Sequence, residues 1–199
     1  HEAIDPVRYI GNHASGKMGY ALAEVALKMG ADVILISGPS SEKINHPSLK
    51  LVSVVNAADM AKAVKKYYDG VDIAIAAAAV ADFKPQKVAS QKLKKHNGLD
   101  IIKLTPTEDI LAHMGNHKKE QILIGFALET ENEIENAKAK LKNKNLDGIV
   151  LNSLKDSDAG FSVTTNKITF IHNDLRTESF PLQSKLACAH RIFEQILSI

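Results

Sequence analysis

The chain has 199 residues, 45% hydrophobic and 24% charged, with a formal net charge of +2. That length suits one domain and that composition a soluble globular protein, while so small a net charge carries no signal for a nucleic-acid partner. No apolar stretch approaches the roughly 20 residues of a membrane span, and the N-terminus shows no signal-peptide pattern.

The single cysteine, Cys188, lies among Leu186, Ala187 and Ala189 in a helical stretch. It cannot form an internal disulfide, which fits a reducing, cytoplasmic compartment, and it reads as a packing residue. The chain opens on His1 rather than Met, and a motif begins within five residues. A fragment lacking an upstream segment is therefore expected.

The run Asp5-Pro6-Val7-Arg8-Tyr9-Ile10-Gly11-Asn12-His13-Ala14-Ser15-Gly16-Lys17-Met18-Gly19 is a glycine-punctuated loop that enters a helix. Glycines let the backbone approach a ligand, and a helix start offers unpaired N–H groups and partial positive charge. Such a loop can cradle phosphate or carboxylate, or serve only as a connection with a cap. Met18, Ala21, Leu22, Val25, Ala26 and Met29 form the apolar stripe of the helix, which ends at Gly30. Val33–Ile36 reads as a buried parallel strand closed by Ser37-Gly38-Pro39, and Leu51–Val55 as another. Asn56 caps a helix whose Met60, Val64, Tyr67 and Tyr68 share a face.

Val71–Ala79 is strand-like, with Asp82 expected at the carboxyl edge of an extension to Ala81. A polar loop, Ala81–Gly98, follows. Leu99–Leu104 and Gln121–Ala127 read as strands around a short helix near Glu108–Met114. Thr130 and Glu133 have capping-box spacing for a helix to about Lys144. Asp147–Asn152 is the last central strand, Lys167–His172 and Leu175–Pro181 pair about an Asn173-Asp174 turn, and Ser184–Ser198 closes the chain as a helix. The alternation predicts an α/β, doubly wound, Rossmann-like and mostly parallel sheet with a small antiparallel C-terminal extension. Ligands of such sheets bind beyond the carboxyl ends of the strands.

Several side chains are candidates for that edge. The polar loop holds Lys84, Lys87, Lys92, Lys94 and Lys95 beside His96, either a solvated face or a basic flap over a polyphosphate. On the helix after Thr130, Lys140 and Lys144 share one face and Lys138 and Lys142 the nearly opposite one. Dipole complementation explains one pair and leaves the other, facing the sheet edge, free for a ligand. Asp82 is either a cap or a holder of Mg²⁺ or a nucleotide hydroxyl. Ala76–Ala79 lacks bulk, as close substrate approach or tight helix packing would require. Other motifs fail. Gly11, Gly16 and Lys17 imitate a P-loop, but Met18 replaces its Ser or Thr; the dinucleotide fingerprint is absent; and the histidines, His113 and His117 included, lack metal-site company.

These motifs together resemble the phosphopantothenoylcysteine synthetase family, the phosphopantothenate–cysteine ligases of coenzyme A biosynthesis. The likeness continues through Ser37-Gly38-Pro39, Ala78-Ala79-Val80-Ala81-Asp82, Lys92-Leu93-Lys94-Lys95, Gly125-Phe126-Ala127 with Glu129-Thr130, Lys140–Asp147 and Asn152, in order from residue 5 to about 161. The resemblance implies a CTP-dependent ligation of L-cysteine to 4'-phosphopantothenate through an acyl-cytidylate. It implies Asn12 and Lys92 as catalytic groups, and Arg8, Asn12, Ala78 and Ala79 as contacts to phosphopantothenate or a subunit interface. Asp82, Lys92, Phe126, Lys140 and Lys144 would bind CTP, with Mg²⁺ near Asp82 through the nucleotide.

A homodimer with a shared active site is implied, and bacterial members are often fused to a flavin-dependent decarboxylase. Residues 1–199 would be one nucleotide-binding ligase domain without the family's first strand, which lies upstream of His1. The loop Thr105-Pro106-Thr107-Glu108-Asp109-Ile110 departs from the family's usual Asn-Pro-Asp-Ile. Two other functions stand beside this one: an NAD(P)- or flavin-binding oxidoreductase, and a nucleotide-binding module without turnover.

Overall fold

Apolar runs alternating with amphipathic helices fold as that pattern requires, and the computed structural model describes residues 1–94, 101–153 and 164–199. In chain order, β1 (Glu2–Ala3) and β2 (Tyr9–Ile10) form a hairpin ahead of α1 (Lys17–Lys28), β3 (Val33–Ser37), β4 (Leu49–Ser53) and α2 (Ala57–Tyr67). Then come β5 (Ile73–Ala76), β6 (Phe83–Pro85), β7 (Leu104–Pro106), α3 (Ile110–Asn116), β8 (Ile122–Glu129) and α4 (Glu133–Asn143). The chain closes with β9 (Gly148–Ser153), β10 (Thr165–Asn166), β11 (Ile168–His172), β12 (Thr177–Ser179), β13 (Gln183–Ser184) and α5 (Lys185–Ile196).

The central sheet has five strands in the order β12-β11-β9-β8-β5. β5, β8 and β9 run parallel, and β11 and β12 extend the sheet antiparallel, as the turn at Asn173-Asp174 predicts. Both faces carry helices. α1 and α5 cover one, where Leu22, Val25, Ile124, Phe170, Cys188 and Ile192 form the main core. On the other, Met114 of α3 and Ala137 and Leu141 of α4 pack with Leu123, Ile149 and Ile171. Each fully buried Ile, Leu or Phe contributes about 1.5–3 kcal/mol.

Several elements depart from expectation. β3 is parallel to β4 but not buried: the pair forms its own two-stranded sheet, and Ile34 is 36% exposed. β4 begins two residues before the predicted Leu51. β5 stops at Ala76, six residues short of Asp82, because the carbonyls of Ala79 and Val80 turn to an asparagine side chain instead of a ladder. Part of the polar loop is strand: β6 pairs antiparallel with β7. Of the predicted Leu99–Leu104 strand, Leu99 and Asp100 lie outside the described residues, 101–103 are not strand, and Leu104 begins β7. Thr130 does not cap α4. Asn132 does so in a left-handed conformation (φ 45°), while the Asn136 amide ties back to the Glu131 carbonyl. Lys95, His96 and residues 154–161 of the motif series lie outside the described residues.

Candidate functional site

The site is built on the N-terminal hairpin. The Asp5 side chain has no solvent exposure and sits at the turn between β1 and β2. Its carboxylate accepts from the Val7 and Arg8 amides at 2.8 and 2.9 Å and ion-pairs with the Arg8 guanidinium. It also accepts from the Leu93 amide at 3.2 Å, and Arg8 donates to the Leu93 carbonyl at 3.0 Å. Arg8's hydrogen bond, helped by these backbone amides, holds the Asp5 carboxyl well below the usual carboxylate range against the opposing effect of burial. The consequence is positional: Leu93 is pinned from both sides, and Lys92 beside it is exposed.

Farther along the loop, the Asn12 amide donates to the Ala79 and Val80 carbonyls, both at 3.2 Å. This joins the opening motif to the segment that leaves β5. Gly16 then takes φ 80°, and a Cβ there would lie 2.8 Å from the Ser40 hydroxyl, so residue type and packing both demand glycine. Ser40 in turn donates to the Ser15 carbonyl at 2.8 Å, fixing the entry to α1. Arg8, Asn12, Ala78, Ala79 and the Lys92 segment are thus gathered around one loop.

Asp82 is exposed, and β6 and β7 hold its backbone. The Thr107 amide donates to the Asp82 carbonyl at 2.9 Å and the Thr107 hydroxyl to the Ala81 carbonyl at 2.6 Å. Among the described residues no three His, Cys, Asp or Glu side chains gather as a metal site. A lone exposed carboxylate fits Mg²⁺ only when phosphate oxygens complete the shell.

The remaining candidates lie on β8 and along α4 to its C-cap, Lys144. Lys140 donates to the Phe126 carbonyl at 2.9 Å, and Lys144 pairs with Asp109 at the start of α3. The two amines share a helix face as predicted, but both are engaged within the protein, which corrects the expectation that this pair is free. Phe126 packs on the same core cluster as Met18 of α1 and Ala77 beyond β5. Two residues with a part in the site went unassigned in the sequence. Asp5 had a signal in its three-residue spacing from Arg8; Asp109 had none, since its partner lies 35 residues away.

Comparison with known proteins agrees with the resemblance read from the sequence. The family model for the DNA/pantothenate metabolism flavoprotein C-terminal domain matches residues 1–199. A Bacillus subtilis (strain 168) relative, the coenzyme A biosynthesis bifunctional protein CoaBC, is 47% identical over 198 residues, covering 100% of this chain and 49% of its own. A protein from an unknown prokaryotic organism named cysteine/cysteine sulfinic acid decarboxylase is 48% identical, covering 100% of this chain and 55% of its own. The chain thus spans about half the length of the curated relatives it matches.

The crystal structure of the C-terminal domain of CoaBC superposes with a TM-score of 0.82 at 41% identity, covering 98% of this chain and 88% of that one. The Cab2 H337A mutant in complex with phosphopantothenate-cysteine shares the fold at 17% identity and TM-score 0.78, covering 99% of this chain and 82% of that one. No helix among the described residues is long and apolar enough to cross a membrane. With the doubly wound sheet, the converging loop and a match along its whole length, this chain belongs to the DNA/pantothenate metabolism flavoprotein C-terminal domain family.

Proposed function

We propose that this domain works in coenzyme A biosynthesis as a cytoplasmic, CTP-dependent phosphopantothenate–cysteine ligase. The observation that carries this reading is the pair of bonds from Asn12 to Ala79 and Val80, which unites the opening motif with the strand-exit segment. In the first half-reaction a carboxylate oxygen of 4'-phosphopantothenate attacks the α-phosphorus of CTP, the bond to the β-phosphate bridge breaks, and pyrophosphate leaves. In the second, the amine of L-cysteine attacks the acyl carbon and CMP departs.

Charge builds on phosphate oxygens during the first step, and fixed cations stabilise it. Lys92, on the flap, Lys140 and Lys144 supply them, Phe126 lies against the nucleoside, and Asp82 would hold a nucleotide hydroxyl or Mg²⁺, which would supply further positive charge to the phosphates. The amide of Asn12 donates to the acyl group without competing as a nucleophile, and Arg8, Ala78 and Ala79 border the phosphopantothenate. Two copies act together, a reading supported by the exposure of Val7, Tyr9, Phe83 and Leu104, each about half exposed on the two small hairpins. In a longer protein the other half is a flavin-dependent decarboxylase, consistent with the bifunctional relatives.

The test is pyrophosphate release with CTP, phosphopantothenate and cysteine, repeated with ATP. CTP-dependent release supports the ligase. Saturable NAD(P) or flavin binding without pyrophosphate supports an oxidoreductase, and CTP binding without consumption supports a module that only binds.

A further inference from the structure

Glycine is a poor helix residue, so a buried glycine within α3 needs a packing reason. Gly115 has one: a Cβ there would stand 1.9 Å from the Lys144 carbonyl oxygen and 2.8 Å from its carbonyl carbon. The Gly115 carbonyl also accepts from the Asn145 side-chain amide at 3.0 Å. The backbone of Lys144 is therefore pressed against α3 and tied to it one residue later.

The end of α4 is built for that contact. Lys144 is its C-cap, and Asn145 takes the left-handed conformation with φ 51°. The Leu146 amide donates back to the Leu141 carbonyl at 3.0 Å, and the Asn145 amide to the Lys142 carbonyl at 3.2 Å. This is the Schellman pattern, in which glycine is the usual left-handed residue and asparagine the alternative. Asparagine satisfies the same φ and adds the side-chain donor that reaches Gly115. Leu146, 3% exposed, anchors the turn in the core.

At the other end of α3, Asp109 pairs with the Lys144 ammonium. One short helix thus holds both parts of one residue, its side chain from the first turn and its backbone from the last. A phosphate competes with Asp109 for the ammonium, and the side chain can exchange partners while its backbone stays fixed. We propose that Gly115 and Asn145 are positioning residues for Lys144, setting the point from which its ammonium reaches the phosphates of the nucleotide. The proposal rests on the reading of Lys144 as a CTP contact. A Cβ at residue 115 must displace the Lys144 carbonyl by on the order of 1 Å, a misplacement that can cost about 100-fold.

Calorimetric titration of CTP into four variants tests this: Lys144→Gln, Gly115→Ala, Asn145→Gly, and Asn145→Gly combined with Lys144→Gln. Lys144→Gln should weaken CTP binding by about 10- to 100-fold, as loss of a charge-assisted hydrogen bond implies. Gly115→Ala should approach that loss without exceeding it, because it acts through the same amine. Asn145→Gly should weaken binding by about 2- to 10-fold, the scale of one neutral hydrogen bond. In the double variant the Asn145→Gly loss should vanish, a non-additivity that a general loosening of the fold would not produce. Thermal melts check folding, and Asn145→Gly keeps the left-handed turn if Gly115→Ala does not fold.

Unchanged CTP affinity in Asn145→Gly, or additive losses in the double variant, would overturn the proposal and leave the role of Lys144 standing. Unchanged affinity in Lys144→Gln, or no binding by the unaltered chain, would refute the reading of Lys144 and the proposal with it. None of these readouts depends on CTP turnover, so a failed ligase assay and a failed titration are distinguishable.

Discussion

Asp109 performs two tasks with its two oxygens, and substitution can separate them. One oxygen accepts from the Ala112 amide at 2.8 Å and caps α3; the other pairs with the Lys144 ammonium. Asp109→Asn keeps the capping oxygen, since Asn and Asp cap equally well. It removes the ion pair, and with the Asp109 side chain 53% exposed that pair falls in the class worth about 0.2–1 kcal/mol. A domain of this size shifts in Tm by about 2–4 °C per kcal/mol, so the loss is at most about 4 °C.

Asp109→Ala removes the cap as well, adding about 1 kcal/mol and a further 2–4 °C or so. Freed from its internal partner, Lys144 no longer has to break that pair to meet a triphosphate. The same 0.2–1 kcal/mol then reappears as a gain of about 1.4- to 5-fold in CTP affinity for Asp109→Asn. Thermal denaturation and CTP titration by calorimetry read both effects. Equal melting of the two variants would refute the cap assignment, and unchanged or weaker CTP binding in Asp109→Asn would refute the competition at Lys144.

Asn12→Asp sets a carboxylate against the Ala79 and Val80 carbonyls in place of two donated hydrogen bonds. Cysteine-dependent CMP release should fall by about 100-fold, the scale of losing one positioned donor, while CTP affinity holds; equal loss of both contradicts the role. Lys92→Gln should raise the KM for CTP without lowering the melting temperature, as its side chain is exposed; unchanged kinetics would mean a solvated loop. The depressed Asp5 carboxyl makes a pH prediction. Its contribution is fully present above its ordinary value of 3.8 and is lost as pH falls from there toward the lower folded value. Asp5→Asn should therefore be less stable near pH 7 but flatter in its acid limb, and parallel acid-unfolding curves for the two proteins would count against the Asp5–Arg8 lock.

Elements whose pattern is local were legible in the residues. The stripe through Met18, Leu22 and Val25 gives α1, the Asn56 cap gives the start of α2, and the apolar runs give β8 and β9. Elements defined by distant partners were not. β6 sits within a lysine-rich stretch, and its hydrogen bonds run to Leu104–Pro106, beyond any local window. The Thr130–Glu133 spacing fits a capping box, yet the left-handed Asn132 starts the helix instead. Arg8, Asn12 and Ala79 fall in short motifs, and it is these motifs that the fold joins. The engagement of Lys140 and Lys144 was not legible, because a helical wheel shows which side chains share a face but not which carbonyl or carboxylate awaits them.

The contact at Gly16 has a consequence for sequence variation. The left-handed φ of 80° and the Ser40 hydroxyl 2.8 Å from where a Cβ would stand are separate constraints. A smaller neighbour at residue 40 therefore does not free this position, and a replacement here is disfavoured twice over.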